Sequence, residues 1–495
     1  MCVRENRDVT DLKLDDQLEY IRDVESLVRF ECRTKNCHFA TDHSNKLFKH
    51  EQSCFAETQM IYKQVAMHQP CNKIRRELVA EGYLPDESWQ NWHFATFDVE
   101  CLMDDVRALG GVRSIHRLTS IAIKASFEEN GHYLERENME PLSVKPLVQD
   151  LLSTLVYLRS EMMYLIPHTI IEGQREYTKK VQNKEFRKLS VERQAVDRKK
   201  LRFLNQCLAL RIYSWNGERY DHNVVWAPIL DIFSNSDTDF NYFNIIRRGT
   251  GIMQFSDGSL IFRDFLNMTS PMSLEDFARS CGVNEVSKTT FPYEYYKDIK
   301  DLHDSHEFPA YKCFYSSLPS KQAGFLEELE EIVTDNILLG WWADTQAANE
   351  FFGFEPPLTF ERCGENWKVS SETRAEVLKM LNTSPKKYFE SKNIFELEGC
   401  RSMADYLRLY NLNDVILLDK CIKKYAKGFY DSWQVNIHEK MSLPGVAQEL
   451  AFKYYDDDAT AIYTFGKKFK DFNEQIRKQL HGGMTLGSAF KTIFK

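Results

Sequence analysis

The sequence predicts an α/β architecture, a mixed sheet flanked by helices, with a small ββα zinc-binding unit ahead of it. Three observations carry that expectation. Short apolar, β-branched runs such as 93–99 (HFATFDV) and 118–127 (LTSIAIKASF) alternate with longer stretches of helical periodicity, the layout of layered α/β proteins. A compact cluster of Cys and His lies between residues 32 and 54. Acidic residues recur at one strand end, after one strand–turn unit and on one helix, at spacings that bring carboxylates to a common face.

Composition bounds the answer. The chain has 495 residues, 43% of them hydrophobic and 28% charged, which excludes wholesale disorder and collagen-like repeats. Its length fits roughly three domain-sized units. No run approaches the roughly 18 consecutive apolar residues of a membrane span. The start, MCVRENRDVTDLKLDD, is charged and has no apolar run, so it does not read as a secretory signal. The net charge of −9 does not advertise nucleic-acid binding, yet a local basic groove can sit on an acidic protein. Nine of the twelve cysteines are scattered without regular spacing, which fits a reducing, intracellular compartment.

Taken in order, residues 1–25 read as a charged helix or tail, and 26–58 as the Cys/His unit. Residues 59–90 read as a helical linker with a break near Pro85. The region 91–430 reads as the α/β body, and 431–495 as a connecting segment. Val144, Leu147, Val148, Leu151, Leu152, Leu155 and Leu158 recur at three- and four-residue steps and predict a helix over 144–166. Residues 172–202 are dense in charge and predict an exposed helical insertion with a solvated face. LALRIYSW (208–215) predicts a strand ending at Asn216-Gly217. Residues 251–265 predict a hairpin with Asp257-Gly258 in its turn. Residues 273–283 predict a helix with a Ser cap and Gly282 near its end. Two further helices are expected over 321–340 and 401–427.

The Cys/His unit spells Cys32-x4-Cys37-x12-His50-x3-Cys54. Two thiolates from a hairpin and two ligands one turn apart on a helix supply the tetrahedron that structural zinc needs. Phe30 and Leu47 stand where such a unit wants its apolar residues. The pattern resembles a two-Cys-two-His zinc finger with Cys in place of the last His. His38 and His43 are alternative ligands at poorer spacing. A single finger of this kind can bind DNA, RNA or protein.

The acidic residues form three fragments. In FDVE, Asp98 and Glu100 are two apart on a strand and point to one face. Carboxylates held together repel unless a cation neutralises them, and Mg²⁺ takes such oxygen ligands. In the second fragment an apolar strand runs into Asn216-Gly217, and Tyr220-Asp221 follow. In the third, DYLRLYNLNDVILL, Tyr410 and Asp414 are four apart on a helix, anchored by the apolar run Val415–Leu418. Asp23-Val24-Glu25 and the Tyr454/Asp458 pair repeat the same letters in polar settings and read as surface charge. The set Asp98, Glu100, Asp221 and Asp414 is able to hold two divalent ions ~4 Å apart, the arrangement that stabilises attacking and leaving oxygens in phosphoryl displacement. Tyr410, one turn from Asp414, is placed to orient the attacking water.

These fragments resemble the 3′–5′ proofreading exonuclease of the ribonuclease-H-like fold, in its four-acid-plus-Tyr form; Leu409 stands where the sister form has its His. FDVE, N-x3-YD and Y-x3-D are similar to the three exonuclease motifs of family B DNA polymerases. Residues 262–296 resemble the stretch between the second and third motifs in the protein-primed branch, which includes linear-plasmid, viral and Maverick/Polinton-type enzymes. The resemblance covers about residues 92–495. It implies that Lys288 of KTTFPY contacts the scissile phosphate, that Asn216 and Tyr220 belong to the substrate-binding motif, and that Gly482 and Gly483 of LHGGMTLGSAF contact the template backbone. It also implies Mg²⁺ or Mn²⁺ as two catalytic ions, beside the structural Zn²⁺ of the Cys/His unit, single-stranded 3′ ends of DNA as substrate and a role in DNA replication. The expected location is intracellular, with the nucleus favoured over cytoplasm or mitochondrion. A terminal protein or a separate polymerase half is the implied protein partner.

Two departures stand out. Cys101 occupies the position after the first motif's Glu where this branch often has a strand-binding Thr. The palm motifs of nucleotide addition do not follow the Gly-Gly motif; Asp237-Thr238-Asp239 resembles one of them but lies between the exonuclease motifs and reads as a loop. The expectation is therefore the exonuclease-bearing N-terminal portion of such a polymerase, with no DNA synthesis from this chain alone. The competing expectation is a non-catalytic zinc-finger nucleic-acid-binding protein descended from one.

Overall fold

The computed structural model describes residues 30–31, 40–41, 44–51, 72–105, 114–135, 144–234, 244–283, 289–314, 322–374, 377–378, 381 and 383–453. The chain divides into two units, Met1–Pro70 with Tyr454–Lys495, and Cys71–Lys453. In the first, strands β1 (Phe30–Glu31) and β2 (Ala40–Thr41) pair antiparallel and are followed by helix α1 (Ser44–Glu51). That is the ββα order expected. His50 lies in the last turn of α1, whereas Cys32, Cys37 and Cys54 lie outside the described residues.

The second unit begins with α2 (Asn72–Ala80), which ends through Gly82, before Pro85 is reached. Strands β3 (Phe94–Asp105), β4 (Ser114–Ala125) and β5 (His132–Glu135) form an antiparallel meander. Three helices follow: α3 (Lys145–Leu165), α4 (His168–Gln182) and α5 (Val191–Cys207), with a 3-10 turn at Lys184–Lys188 joining the last two. Strand β6 (Leu210–Ser214) leads to α6 (Asp221–Ser234). Strands β7 (Asn244–Arg248), β8 (Gly251–Ser256) and β9 (Leu260–Asp264) come next; β8 and β9 are the expected hairpin, with Gly258 in its turn at φ 94°. Beyond α7 (Leu274–Ser280) and α8 (Ile299–Asp304), the chain builds a further cluster from α9 (Gln322–Leu338), α10 (Thr345–Phe352), the hairpin β10 (Phe360–Cys363)–β11 (Asn366–Val369) and α11 (Pro385–Leu397). It closes with α12 (Met403–Trp433) and α13 (Leu443–Lys453).

The seven-stranded sheet has the order β5-β4-β3-β6-β9-β8-β7, with β3–β6 and β6–β9 parallel and the other pairs antiparallel. An antiparallel meander whose first strand then pairs in parallel with the next is compatible with a ribonuclease-H-like sheet. Along β3 the faces separate cleanly. Ala95, Phe97 and Val99 join a core with Leu147, Leu151 and Leu155 of α3, while Phe94 packs with Leu417, Leu418 and Ile422 of α12. The sheet is thus a layer between helices, as a strand with apolar residues on both faces requires. The cluster after residue 308 has its own core, in which Tyr311, Phe352 and Tyr388 are almost fully buried. Among the described residues no helix is long and apolar enough to cross a membrane.

Candidate active site

Residues Thr96, Asp98 and Glu100 of β3 share the face that looks toward α12, because strand side chains alternate. Their partners on β4 are Lys124, Ala122 and Ser120. Two polar contacts seat the helix there. Thr96 Oγ1 donates to the Val415 carbonyl at 2.8 Å, and Asn411 Nδ2 donates to Ser120 Oγ at 3.1 Å. Both are buried, and both fall within one turn of Asp414. The helix register is therefore fixed where its carboxylate meets the strand. One carboxylate oxygen each from Asp98, Glu100 and Asp414 lies within 4.8 Å of the other two. Glu100 and Asp414 are buried and Asp98 is half-buried.

The strand itself is shaped for this. The β3–β4 register slips between Glu100 and Cys101, so that Glu100 faces Ser120 while Cys101 faces Leu118. The skipped residue, Thr119, accepts through Oγ1 from the Leu102 amide at 3.2 Å. A bulge of this kind re-aims side chains next to a site. In parallel pairing with β6, β3 is held only over Phe94–Thr96. Past Thr96 that edge is released, and the acids stand on the released part.

Asp221 comes from the other side of that opening. It is the first residue of α6, is buried, and does not join the trio within 4.8 Å. It is nevertheless close enough to act on Cys101 together with Glu100 and Asp98. The turn before it is stiff. Asn216 is left-handed at φ 64°, and a Cβ at Gly217 would come within 1.8 Å of Ser214 Oγ, so only glycine fits. Asp264 accepts from the amides of Asn216 at 3.0 Å, Glu218 at 3.1 Å and Leu266 at 2.9 Å. Burial still pushes the Asp264 carboxyl above its ordinary value against those three donors. Glu218 is clamped by Arg248 at 2.6 and 2.9 Å. His222 bridges the Ile252 carbonyl at 2.6 Å and Ser214 Oγ at 3.1 Å, and burial lowers it to about 4, so its ring is neutral at pH 7.

Tyrosines line the acids. The Tyr293 hydroxyl is in hydrogen-bonding contact with both the Glu100 carboxylate and the Tyr410 hydroxyl. An ionised carboxylate can only accept, so Tyr293 donates to Glu100. Burial first, and Glu100 next, raise the Tyr293 hydroxyl well above its ordinary value. Burial likewise raises Tyr133, and Tyr220, which Glu100 and Asp221 push further. The segment carrying Tyr293 is held on α12 by Tyr406, whose hydroxyl donates to the Thr290 carbonyl at 3.1 Å, and by Phe291, stacked on Tyr406 at 6.2 Å.

Of the residues singled out from sequence, Asp98, Glu100 and Asp414 come together, with Tyr410 one turn away and buried. Tyr220 is half-buried, with its hydroxyl 2.8 Å from His116 Nδ1 and in contact with the Cys101 thiol, while Asn216 is exposed. Cys101 is buried and burial raises its thiol to about 12, so it offers no surface to a strand. Lys288, Gly482, Gly483, Asp23-Val24-Glu25, Asp237-Thr238-Asp239 and the Tyr454/Asp458 pair lie outside the described residues. Thr96, Asp264 and Tyr293 belong to the site without a motif of their own in the sequence. Thr96 was reachable, since it precedes Asp98 by two on the same face. Tyr293 ends the same KTTFPY run that Lys288 begins.

Compared with family profiles, with curated proteins and with solved structures, the chain has no match in any of the three.

Proposed function

We propose that this chain is a divalent-metal-dependent 3′–5′ exonuclease of ribonuclease-H-like fold, acting on single-stranded 3′ ends of DNA in the manner of the proofreading portion of family B polymerases. The observation that carries the reading is the convergence of Asp98, Glu100 and Asp414 from a strand and a helix more than 300 residues apart. Three carboxylate oxygens within 4.8 Å of one another are a hard donor set suited to Mg²⁺ or Mn²⁺. Metal ions bound there would supply Lewis-acid polarisation of a phosphoryl oxygen and neutralise developing charge. Asp98, Glu100 and Asp414 hold that charge in place, with Asp221 as the fourth acid across the opening. Tyr293 fixes the Glu100 carboxylate by donating to it. Tyr410, buried one turn from Asp414 on the same helix, would orient the attacking water. Zinc on Cys32, Cys37, His50 and Cys54 belongs to the same proposal as a structural ion for the ββα unit.

The test uses the full chain, a 5′-labelled single-stranded oligonucleotide and Mg²⁺ or Mn²⁺ at low salt. A ladder shortening from the 3′ end, absent with EDTA and absent in Asp98→Ala, is expected. Absence of shortening with either metal, or shortening that persists in Asp98→Ala, would refute the assignment.

A further inference from the structure

The α4–α5 hairpin carries a concentration of positive charge that the acid site does not use. Between Glu172 and Arg202 stand eleven Lys and Arg against five Asp and Glu, in a chain whose net charge is −9. The hairpin has an inner and an outer face. Inward, Tyr177 donates to Glu81 at 2.6 Å, Lys200 pairs with Glu77 at 2.7 Å and Glu81 at 2.8 Å, and Gly173 abuts Tyr83. Both helices thus turn one side toward α2 and the loop after it. Residues two positions away from these lie about 200° round the helix, on the opposite side. Arg175 and Lys179 flank Tyr177 in this way. Lys199 and Arg202 stand in the same relation to buried Asp197 and Lys200. All four are exposed, as are Lys184 and Arg187 in the connecting turn.

These six cations have no carboxylate within ion-pairing distance among the described residues, unlike Lys180 with Asp197 and Lys188 with Glu185. Unneutralised like charges at this density repel one another, so the surface favours a polyanion. The aromatics of the hairpin are turned away: Tyr177 and Phe186 are buried and Phe203 is half-buried. Single-strand binding grooves rely on exposed aromatics for stacking. This surface offers charge without stacking, over the roughly 22 Å length of α4. That matches a double helix, which presents one phosphate charge per ~1.7 Å.

We propose that the outer face of the α4–α5 hairpin binds the phosphate backbone of duplex nucleic acid, independently of sequence and of the acid site. The proposal does not depend on the nuclease reading, because binding is measured without turnover.

The experiment compares the full-length protein, with its zinc and without added Mg²⁺ or Mn²⁺, with the variant Lys179→Gln/Lys184→Gln/Arg187→Gln/Lys199→Gln. A control variant changes the exposed Lys300, Arg362, Lys368 and Lys386 to Gln. Fluorescence anisotropy follows a 20-base-pair DNA duplex, the matching RNA duplex and a single strand from 50 to 200 mM salt, with thermal melting as a check on folding. The expected result is a slope of log K against log salt shallower by about 3 to 4 for the hairpin variant on duplex, at about 0.9 per lost phosphate contact, with the control unchanged. Equal losses on DNA and RNA duplexes assign the shared backbone; a loss on one alone assigns that duplex. The proposal is overturned if the hairpin and control variants bind duplex alike, if the loss is confined to the single strand, or if the parent binds no duplex at 50 mM salt.

Discussion

Around Asp98, Glu100 and Asp414 like charges lie within 4.8 Å of one another and mostly out of water, whereas the α4–α5 hairpin spreads its positive charges over an exposed outer face. In the first region repulsion is large. Two unit charges at that distance repel by about 3 kcal/mol at an effective dielectric of 20, with water at half-buried Asp98 screening part of it. The protein sustains this with a strand bulge, a helix seated by Thr96 and Asn411, and a tyrosine donating to Glu100. In the second region water screens each charge and nothing rigid is required. The contrast teaches where geometry matters: a site that holds a small cation fixes its ligands, and a surface that meets a long polyanion needs only density and sign.

The comparison breaks most visibly at Asp414. Asp414→Asn is expected to lower hydrolysis by at least about 10³-fold while leaving the fold intact. Without divalent cations it is also expected to raise unfolding stability by about 1 kcal/mol, since it relieves repulsion inside the trio. A hairpin variant such as Lys199→Gln is expected to change stability by less than about 0.5 kcal/mol. Denaturant melts in EDTA, run beside the nuclease assay, check both; a destabilised and inactive Asp414→Asn would count against a trio held together under strain.

The stiff turn before Asp221 gives a second, pH-dependent test. His222 has its folded-state value depressed to about 4 from an ordinary 6.5, so the folded state resists protonation. Its contribution is present above pH 6.5 and is lost as pH falls through 4, a span worth about 3 kcal/mol. Relative to His222→Gln, the parent should therefore lose about that much more stability between pH 7 and 4. Parallel stability–pH curves for the two proteins would show that the buried imidazole is not the titrating group.

A smaller effect is expected at Tyr293. Tyr293→Phe removes one hydrogen bond to a charged partner and should slow hydrolysis by about 10-fold or somewhat more, with a thermal midpoint close to the parent's. Activity equal to the parent's would place Tyr293 in the packing only.

Much of this was legible in the sequence for identifiable reasons. The β3 run and the α12 helix announce themselves through period and through apolar neighbours that anchor them, and so Asp98, Glu100, Tyr410 and Asp414 could be named. The α3 stripe reads directly as buried Leu147, Val148, Leu151, Leu155 and Leu158. What stayed hidden depends on contacts distant in sequence. The Glu100/Cys101 bulge exists only against Thr119, the Asp264 clamp joins a turn 48 residues away, and Tyr293 gains its meaning from Glu100. The 172–202 stretch read as a solvated insertion because its polar letters mask an inside; Asp197 and Lys200 are buried there as ion-pair partners. The cluster built on Tyr311, Phe352 and Tyr388 was not separated from the α/β body, since no linker composition sets it apart.

The central claim is that these three acids, brought together by β3 and α12, hold a divalent cation. Its most direct test is Mn²⁺ titration of the full-length protein followed by electron paramagnetic resonance, beside Asp98→Asn/Asp414→Asn, with zinc content measured in both. Bound Mn²⁺ is expected in the parent and lost in the double variant, while zinc content stays equal. The same Mn²⁺ stoichiometry and affinity in both proteins would contradict it.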